Sequence, residues 1–132
     1  MPKTQIRSDR LRQPSGVFSH ATMIEATGRL VFISGMTARR LDGTMEGVGD
    51  IEAQTRQVCE NLKAAVEAAG GTMDDVTMNH IFLKDWADYA ALNKVYAEYF
   101  PGDKPARFCI VCSLVRPDFL VEIASIAHIG KR

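Results

Sequence analysis

Two charged residues lie inside segments that are otherwise apolar. Arg107 begins the apolar run 107–112, and Glu122 lies within the apolar run 120–127. Because an unpaired buried charge is costly, each side chain needs a partner or a function. One interpretation is a structural ion pair between neighbouring strands. The other is a site in which the planar guanidinium of Arg107 binds an anionic substrate group and the carboxyl group of Glu122 moves protons.

The cysteines do not form a recognisable metal or redox motif. Cys109 and Cys112 have CxxC spacing, but residues three apart on a strand point to opposite faces, which disfavours a shared metal ion or a disulfide. With Cys59 they make an odd number, and no second pair completes a zinc site. We therefore expect reduced thiols, a reducing compartment and no metal. No glycine-rich phosphate-binding pattern occurs either.

The composition excludes several classes of protein. The 132 residues carry 16 Lys and Arg and 16 Asp and Glu, so the formal net charge is zero. Binding of nucleic acid through phosphate neutralisation needs a basic surplus, and the 46% apolar content argues against a disordered chain. The sequence has neither a long apolar span nor a secretory signal. We expect one cytoplasmic domain over residues 1–132, with 1–13 as a flexible or edge segment, and neither nucleic-acid nor membrane partners.

Hydrophobic periodicity and turn residues predict five strands and two helices in the order ββαβαββ. Asp50 and Asp85 are the expected N-terminal caps of the helices, and Gly70 and Pro101 follow their last turns. The first two strands are predicted to form a hairpin across Gly28. The predicted elements are strands 23–25 and 30–34, helix 50–69, strand 76–83, helix 86–100, and strands 106–112 and 120–126.

This order of elements predicts an α+β fold in which one face of the sheet is left uncovered. Two amphipathic helices can cover only one face of such a sheet, yet the segment 108–112 is apolar at every position. The uncovered face is expected to meet another subunit in a homo-oligomer. The second helix carries three aromatic residues at helical spacing, Trp86, Tyr89 and Tyr96, which favours core packing over stacking on nucleic-acid bases.

A series of short motifs extends over about residues 14–129. The segments are 16–21, 31–35, Asp50-Ile51, Gln54-Thr55, Asn61-Leu62, 68–70, Asp75-Val76, 82–85, 93–96, Tyr99-Phe100, 105–107, 121–123 and Ile126-Ala127. No single motif is decisive, but in their order and spacing they resemble the RidA (YjgF/Yer/UK) family of imine and enamine deaminases, and together they make the resemblance specific.

The resemblance implies a chorismate-mutase-like (ferredoxin-like) fold and a homotrimer with active sites in the clefts between subunits. It implies hydrolysis of reactive imines and enamines, such as 2-aminoacrylate or 2-iminobutyrate, to 2-oxo acids and ammonia, without a metal or cofactor. By motif position, Arg107 would hold the substrate carboxylate, and Glu122 would position or activate the water and shuttle protons. The implied pocket lining comprises Ser34, Gly35, Asn93 and the backbone near Cys109.

The chain also departs from the typical family pattern. Phe18 and His20 stand where typical members have the tyrosine and glutamine of Gly-Pro-Tyr-Ser-Gln, and Met36 replaces a glutamine. Together with Arg39 and Arg40, this pattern looks more like the 2-aminomuconate deaminase branch, whose substrate is a dicarboxylate. Either arginine is then a candidate to bind a second carboxylate, and a solvated surface pair is the alternative.

Two other functions are also compatible with the sequence. A non-catalytic module that binds small carboxylates would use the same cleft, and the missing hydroxyl at Phe18 is the reason to consider it. An endoribonuclease is the third hypothesis, because some members of the family bear that label. The zero net charge and the lack of a basic stripe count against it.

Overall fold

The computed structural model describes residues 3–14 and 16–130. Within these residues the chain forms six strands and two α-helices, with short 3₁₀ turns at Met73–Asp75 and Trp86–Asp88. The elements are β1 (Thr4–Ile6), β2 (Ala21–Met23), β3 (Arg29–Met36), α1 (Ile51–Ala68), β4 (Val76–Leu83), α2 (Tyr89–Tyr99), β5 (Ala106–Val111) and β6 (Val121–Ile129).

The four long strands form one mixed sheet in the order β3-β6-β4-β5. Strand β6 is antiparallel to both of its neighbours, whereas β4 and β5 are parallel and are connected through α2. Both helices pack on one face of this sheet, where their apolar side chains share one core with the strands. The α+β class, the mixed sheet and the placement of both helices on one face are thus confirmed.

The predicted hairpin across Gly28 is wrong. Strand β2 pairs with β1 in a separate two-stranded sheet, and β3 pairs with β6. Gly28 does adopt a positive φ of 82°, but it joins two different sheets, and a Cβ there would collide with the carbonyl oxygen of Ile129. Local turn residues indicate that the chain reverses; they do not indicate which strand will pair with which.

The segment before residue 14 contributes the edge strand β1. Lys3 is almost fully buried, and its ammonium group donates a hydrogen bond to the carbonyl oxygen of Asp74 at 2.6 Å. The side-chain amide of Gln5 donates to the hydroxyl of Ser19 at 2.7 Å. These contacts fix β1 and the following loop beside the main sheet.

The helix predictions are confirmed to within a residue or a turn. The Asp50 side chain accepts the backbone N–H of Ala53 at 3.1 Å, which caps α1, and the Asp85 side chain likewise accepts the N–H of Ala87 at the 3₁₀ turn that leads into α2. The buried stripe of α1 includes Val58, Leu62 and Val66, and it covers the centre of the sheet, where Ile81 and Ile123 are fully buried. Burial of these side chains is the main stabilising contribution of the helix layer.

The face of the sheet opposite the helices is apolar and uncovered. Phe32 and Leu30 on β3 are 74% and 54% exposed, and Phe108 and Ile110 on β5 are 42% and 45% exposed. We call this surface the open face. None of the helices in residues 3–14 and 16–130 combines the length and apolarity that a membrane span requires.

Candidate functional site

Arg107 and Glu122 lie on opposite faces of the sheet. Strand β4 separates β5 from β6, and its residue Asn79 is paired with Arg107 on one side and with Ser125 on the other. Arg107 contacts α2 on the helix face, whereas Glu122 alternates with the buried Val121 and Ile123 and therefore points to the open face. The expectation that the two charges lie on neighbouring strands is wrong, and so is the structural ion pair between them. Strand order is not encoded in the order of strands along the chain.

The guanidinium of Arg107 is held by one face of α2. Its Nη2 donates to Oδ1 of Asn93 at 2.7 Å and to the hydroxyl of Tyr89 at 3.1 Å. Its Cζ lies 4.8 Å from the centroid of the Tyr96 ring and 5.8 Å from that of Tyr89. Because residues 89, 93 and 96 are spaced by four and three, they form one stripe along the helix. We call these three side chains the arginine cradle.

The arginine cradle supplies no negative charge. Burial raises the pKa of the Tyr96 phenol to about 12, so the phenol stays neutral at physiological pH. Within residues 3–14 and 16–130 no carboxylate forms an ion pair with Arg107, and its Nη1 is buried without a hydrogen-bond partner. A guanidinium is always protonated, and an unsatisfied buried donor is costly. The charge of the guanidinium is therefore not neutralised by any carboxylate of the described residues, and the arrangement favours binding of an anion by Arg107.

Glu122 lies against β3 on the open face. A Cβ placed on Gly35 would overlap Oε2 of the Glu122 carboxylate, and the pairing of β3 with β6 is irregular between Ile33 and Met36. The absence of a side chain at position 35 leaves room for the carboxylate, and Ser34 beside it is exposed. The structure thus brings Glu122 and Gly35 together, and it places Arg107 on the other face.

The segment that carries Phe18 and His20 is attached to the start of β5. The backbone N–H of Ser19 donates to the carbonyl oxygen of Pro105 at 3.2 Å, and Ser19 forms a parallel bridge with Ala106, one residue before Arg107. The rings of Phe18 and His20 are 5.9 Å apart. A cavity of about 400 Å³ is lined by Arg12, Gln13, Pro14, Phe18 and His20.

Arg39 and Arg40 have different surroundings. The guanidinium of Arg40 donates to the Glu46 carboxylate at 2.9 and 3.1 Å and also to the hydroxyl of Thr44 at 2.9 Å. These bonds give Arg40 a structural role within its own loop. The Cζ of Arg39 lies 5.7 Å from the ring centroid of Phe119, and among the described residues it has no carboxylate partner. Arg39 is therefore the better candidate of the two for an external anion.

The cysteines are free thiols. Cys109 lies two residues after Arg107 on the same face of β5, and its burial raises the pKa of the thiol. Cys112 follows the end of β5, and Cys59 is fully buried in α1. In the part of the chain that the structure describes, no group of His, Cys, Asp and Glu side chains could hold a metal ion.

Sequence reasoning missed two members of the arginine cradle. The sequence predicts core packing for three aromatic residues, Trp86, Tyr89 and Tyr96, and Tyr96 is fully buried. The prediction is wrong for Trp86 and Tyr89, which are 77% and 44% exposed, because Trp86 lies in the 3₁₀ turn before α2 and Tyr89 is the first residue of α2. The signal that could have revealed them is their spacing from Asn93, which was already a candidate pocket residue. Two phenols and an amide on one stripe of a helix form an unusually polar surface beside a core residue.

Comparison with known proteins defines the family. The family model for endoribonuclease L-PSP matches residues 9–129, and the chain belongs to this family, which includes the YjgF and RidA proteins. It is similar to a Rid-family protein of unknown function from Yersinia pestis (32% identity, 98% of this chain and 100% of that chain covered, TM-score 0.87). It is also similar to RidA from the Antarctic bacterium Psychrobacter sp. (34% identity, 96% of this chain and 99% of that chain covered, TM-score 0.71). A YjgF/YER057c/UK114-family member from Mycobacterium tuberculosis is similar as well (30% identity, 85% of this chain and 86% of that chain covered, TM-score 0.69).

Proposed function

We propose that this protein is a hydrolytic deaminase that converts small imine or enamine carboxylates to 2-oxo acids and ammonia. The observation that carries the proposal is the guanidinium of Arg107, which only neutral groups hold and whose Nη1 is buried without a partner. A guanidinium in this state binds a carboxylate through charge-assisted hydrogen bonds, each of which contributes about 1.5–3 kcal/mol. Membership of the Rid family supports the same reaction class.

We further propose that the active site forms between copies of the chain in a homotrimer. Arg107 and Glu122 lie on opposite faces, so one copy cannot present both to the same small molecule. Arg107 is on β5, an edge strand, and is therefore reachable from a copy that packs against that edge. Glu122 lies on the apolar open face, which a second copy would cover. Packing an edge against an open face brings the two charges together.

In this site Arg107 binds the substrate carboxylate and Glu122 of the neighbouring copy handles protons. An enamine first takes a proton on its terminal carbon and becomes the iminium ion. Water then adds to the C2 carbon while Glu122 accepts a proton from it, which gives a neutral carbinolamine. Glu122 returns this proton to the nitrogen, the C–N bond breaks, and ammonia leaves while the hydroxyl group loses its proton to water and becomes the carbonyl of the 2-oxo acid. A well-placed acid–base group contributes on the order of 10² to 10⁴ in rate, and every proton is moved by side chains or water.

The substrate carries one carboxylate or two. A 2-aminoacrylate or 2-iminobutyrate type of substrate needs only Arg107. A dicarboxylate of the aminomuconate type needs a second cation, and Arg39 supports this version because no carboxylate within the described residues neutralises it. Phe18 and His20 are proposed to contact the remainder of the substrate.

The test follows ammonia release from an imine that is generated in situ. We expect Arg107→Ala to lower kcat/KM about 10- to 100-fold through loss of the carboxylate anchor. We expect Glu122→Gln to lower kcat about 10²-fold or more, because the amide keeps the shape but cannot accept a proton. Arg40→Gln is the matched control for loss of a cation, since its partner is Glu46 in its own loop. Equal rates in the wild type and both site variants would rule out the proposal.

A non-catalytic carboxylate-binding module is the second candidate. It is favoured by Phe18, which lacks the hydroxyl of the family's usual tyrosine. The measurement that separates the two functions is thermal melting with 2-oxobutyrate together with the ammonia assay. Stabilisation that is lost in Arg107→Ala, without turnover of any imine by the wild type, would identify a binding module.

A further inference from the structure

A chain of buried polar side chains lies beneath the arginine cradle. The hydroxyl of Ser125 on β6 donates to Oδ1 of Asn79 on β4, and Nδ2 of Asn79 donates to the hydroxyl of Tyr96 on α2 at 2.8 Å. Asn79 and Tyr96 are completely buried, and Ser125 is 2% exposed. The chain of hydrogen bonds therefore crosses three elements inside the core.

The position of Asn79 is otherwise an apolar one. The residues that follow it on the same face of β4, Ile81 and Leu83, are completely buried core residues. An amide buried there is tolerated only if its donors and acceptors are paired, and a partly paired buried network is worse than an apolar core. Asn79 is paired on both sides, with Ser125 and with Tyr96. It follows that Asn79 holds the Tyr96 phenol at a defined place.

The aromatic ring of Tyr96 in turn contacts the guanidinium of Arg107. The Cζ of Arg107 lies 4.8 Å from the centroid of the Tyr96 ring, within the range of a cation–π interaction. Asn93 and Tyr89 accept hydrogen bonds from Nη2, and the ring of Tyr96 contacts the guanidinium through the cation–π interaction. Nη1 is buried and has no hydrogen-bond partner within the described residues.

We propose that Tyr96 is a positioning residue for Arg107, and that Asn79 and Ser125 act through it. The hydrogen bonds from the core fix the ring, and the ring and Asn93 fix the guanidinium in the orientation in which it binds the anion. The identity of that anion as an imine-derived carboxylate rests on the proposed function. The positioning itself does not, because the chain's own residues make all of these contacts.

The first experiment measures the Arg107 side chain without a ligand. In ¹⁵N NMR spectra, a guanidinium that is held on both sides gives sharp, separate Nη signals because rotation about its Cζ–N bonds is slow; Arg107→Lys assigns them. We expect Tyr96→Phe to keep the ring but to speed this rotation at least fivefold. Tyr99→Phe is the matched control, since the Tyr99 hydroxyl donates to Glu60 on the surface. Unchanged Arg107 signals in Tyr96→Phe would overturn the proposal.

The second experiment measures binding of 2-oxobutyrate by titration calorimetry. Tyr96→Phe and Asn79→Ala are each expected to raise Kd roughly five- to tenfold, and the double variant should be no worse than the single ones because both act on one path. In an Arg107→Ala background neither substitution should change Kd further. For imine turnover, KM should rise while kcat stays within about twofold of the wild type. If Asn79→Ala does not fold, Ser125→Ala removes the outermost donor and is expected to act in the same direction.

The possible outcomes separate positioning from a structural role and from the proposed function. A lower melting temperature with an unchanged Kd and unchanged Arg107 signals would make Tyr96 a structural residue and refute the proposal. Faster rotation of Arg107 in a protein whose wild type does not bind 2-oxobutyrate would support the positioning role and refute that ligand class. Additive effects of Tyr96→Phe and Asn79→Ala on Kd would refute the shared path.

Discussion

The carboxylate of Glu122 lies against the backbone of Gly35, in space that a Cβ on residue 35 would occupy. The contact joins two neighbouring strands on the open face, β3 and β6. It gives position 35 a requirement for glycine that does not come from a turn, since Gly35 has no positive φ. The requirement is instead the close approach of a functional side chain.

Gly35→Ala is expected to displace the Glu122 carboxylate and to lower kcat about 10- to 100-fold, since a small misplacement of a proton-transfer group is costly in rate. The free energy of unfolding should fall by only about 1 kcal/mol, because the group that must move is the end of a flexible side chain. The ammonia assay and urea unfolding measure these two effects. Gly130→Ala is the control, since no atom lies within 4 Å of its added Cβ. Full activity in Gly35→Ala would contradict the role of Glu122.

If the active sites lie between copies of the chain, two inactive variants should restore activity when they assemble together. In mixed oligomers of Arg107→Ala and Glu122→Gln, a site that takes Arg107 from one copy and Glu122 from the next is intact when the correct copies are adjacent. At equal amounts, random assembly makes roughly a quarter of all sites intact. Purification on both tags removes the unmixed trimers, and each mixed trimer has one intact site of three, so roughly a third of wild-type activity should return. The measurement is the ammonia assay after co-expression with two different tags and tandem purification. If each site lies within one copy, no activity will return.

The open face predicts an oligomer that depends on Phe32. This ring is 74% exposed in the single chain, so Phe32→Glu should cost the isolated chain little stability but should place a charge in the apolar interface. Light scattering coupled to size-exclusion chromatography should give three times the chain mass for the wild type and a smaller mass for Phe32→Glu. Leu41→Glu, at a fully exposed loop position, is the control and should keep the mass of the wild type. A monomeric wild type would refute the trimer.

The burial of Tyr96 predicts a loss of stability in alkali. Its pKa is raised from 10.0 to about 12, with burial as the largest cause. The unfolded chain therefore releases the phenol proton before the folded chain does, and stability falls as the pH rises from about 10 to about 12. Ionisation of Tyr96 lowers the free energy of unfolding by at most about 3 kcal/mol over this range. Urea unfolding at pH 9 and pH 11 should show a smaller decrease for Tyr96→Phe than for the wild type, and identical decreases would contradict the prediction.

The elements of the fold were predictable because their signals are local. Asp50 caps α1 through a hydrogen bond to Ala53 three residues later, and the stripe of Val58, Leu62 and Val66 follows directly from helical periodicity. The 3₁₀ turn at Trp86–Asp88 was predicted as the first turn of a longer helix, since a cap residue precedes both kinds of helix. Strand pairing was not predictable in the same way. The predicted pairing of β2 with β3 is wrong because β2 pairs with β1, whose short polar sequence does not indicate a strand.

The candidate site was likewise predictable only in part. That Arg107 and Glu122 are unusual could be read from the sequence alone, because a charge within an apolar strand is costly wherever the strand lies. Alternation along each strand also determined that Glu122 shares a face with its neighbours two residues away. The tertiary structure decided the rest: β4 lies between the two strands, the charges face opposite ways, and α2 supplies the arginine cradle. Such relations depend on contacts between segments distant along the chain, where packing and burial, rather than local propensity, determine which side chains meet.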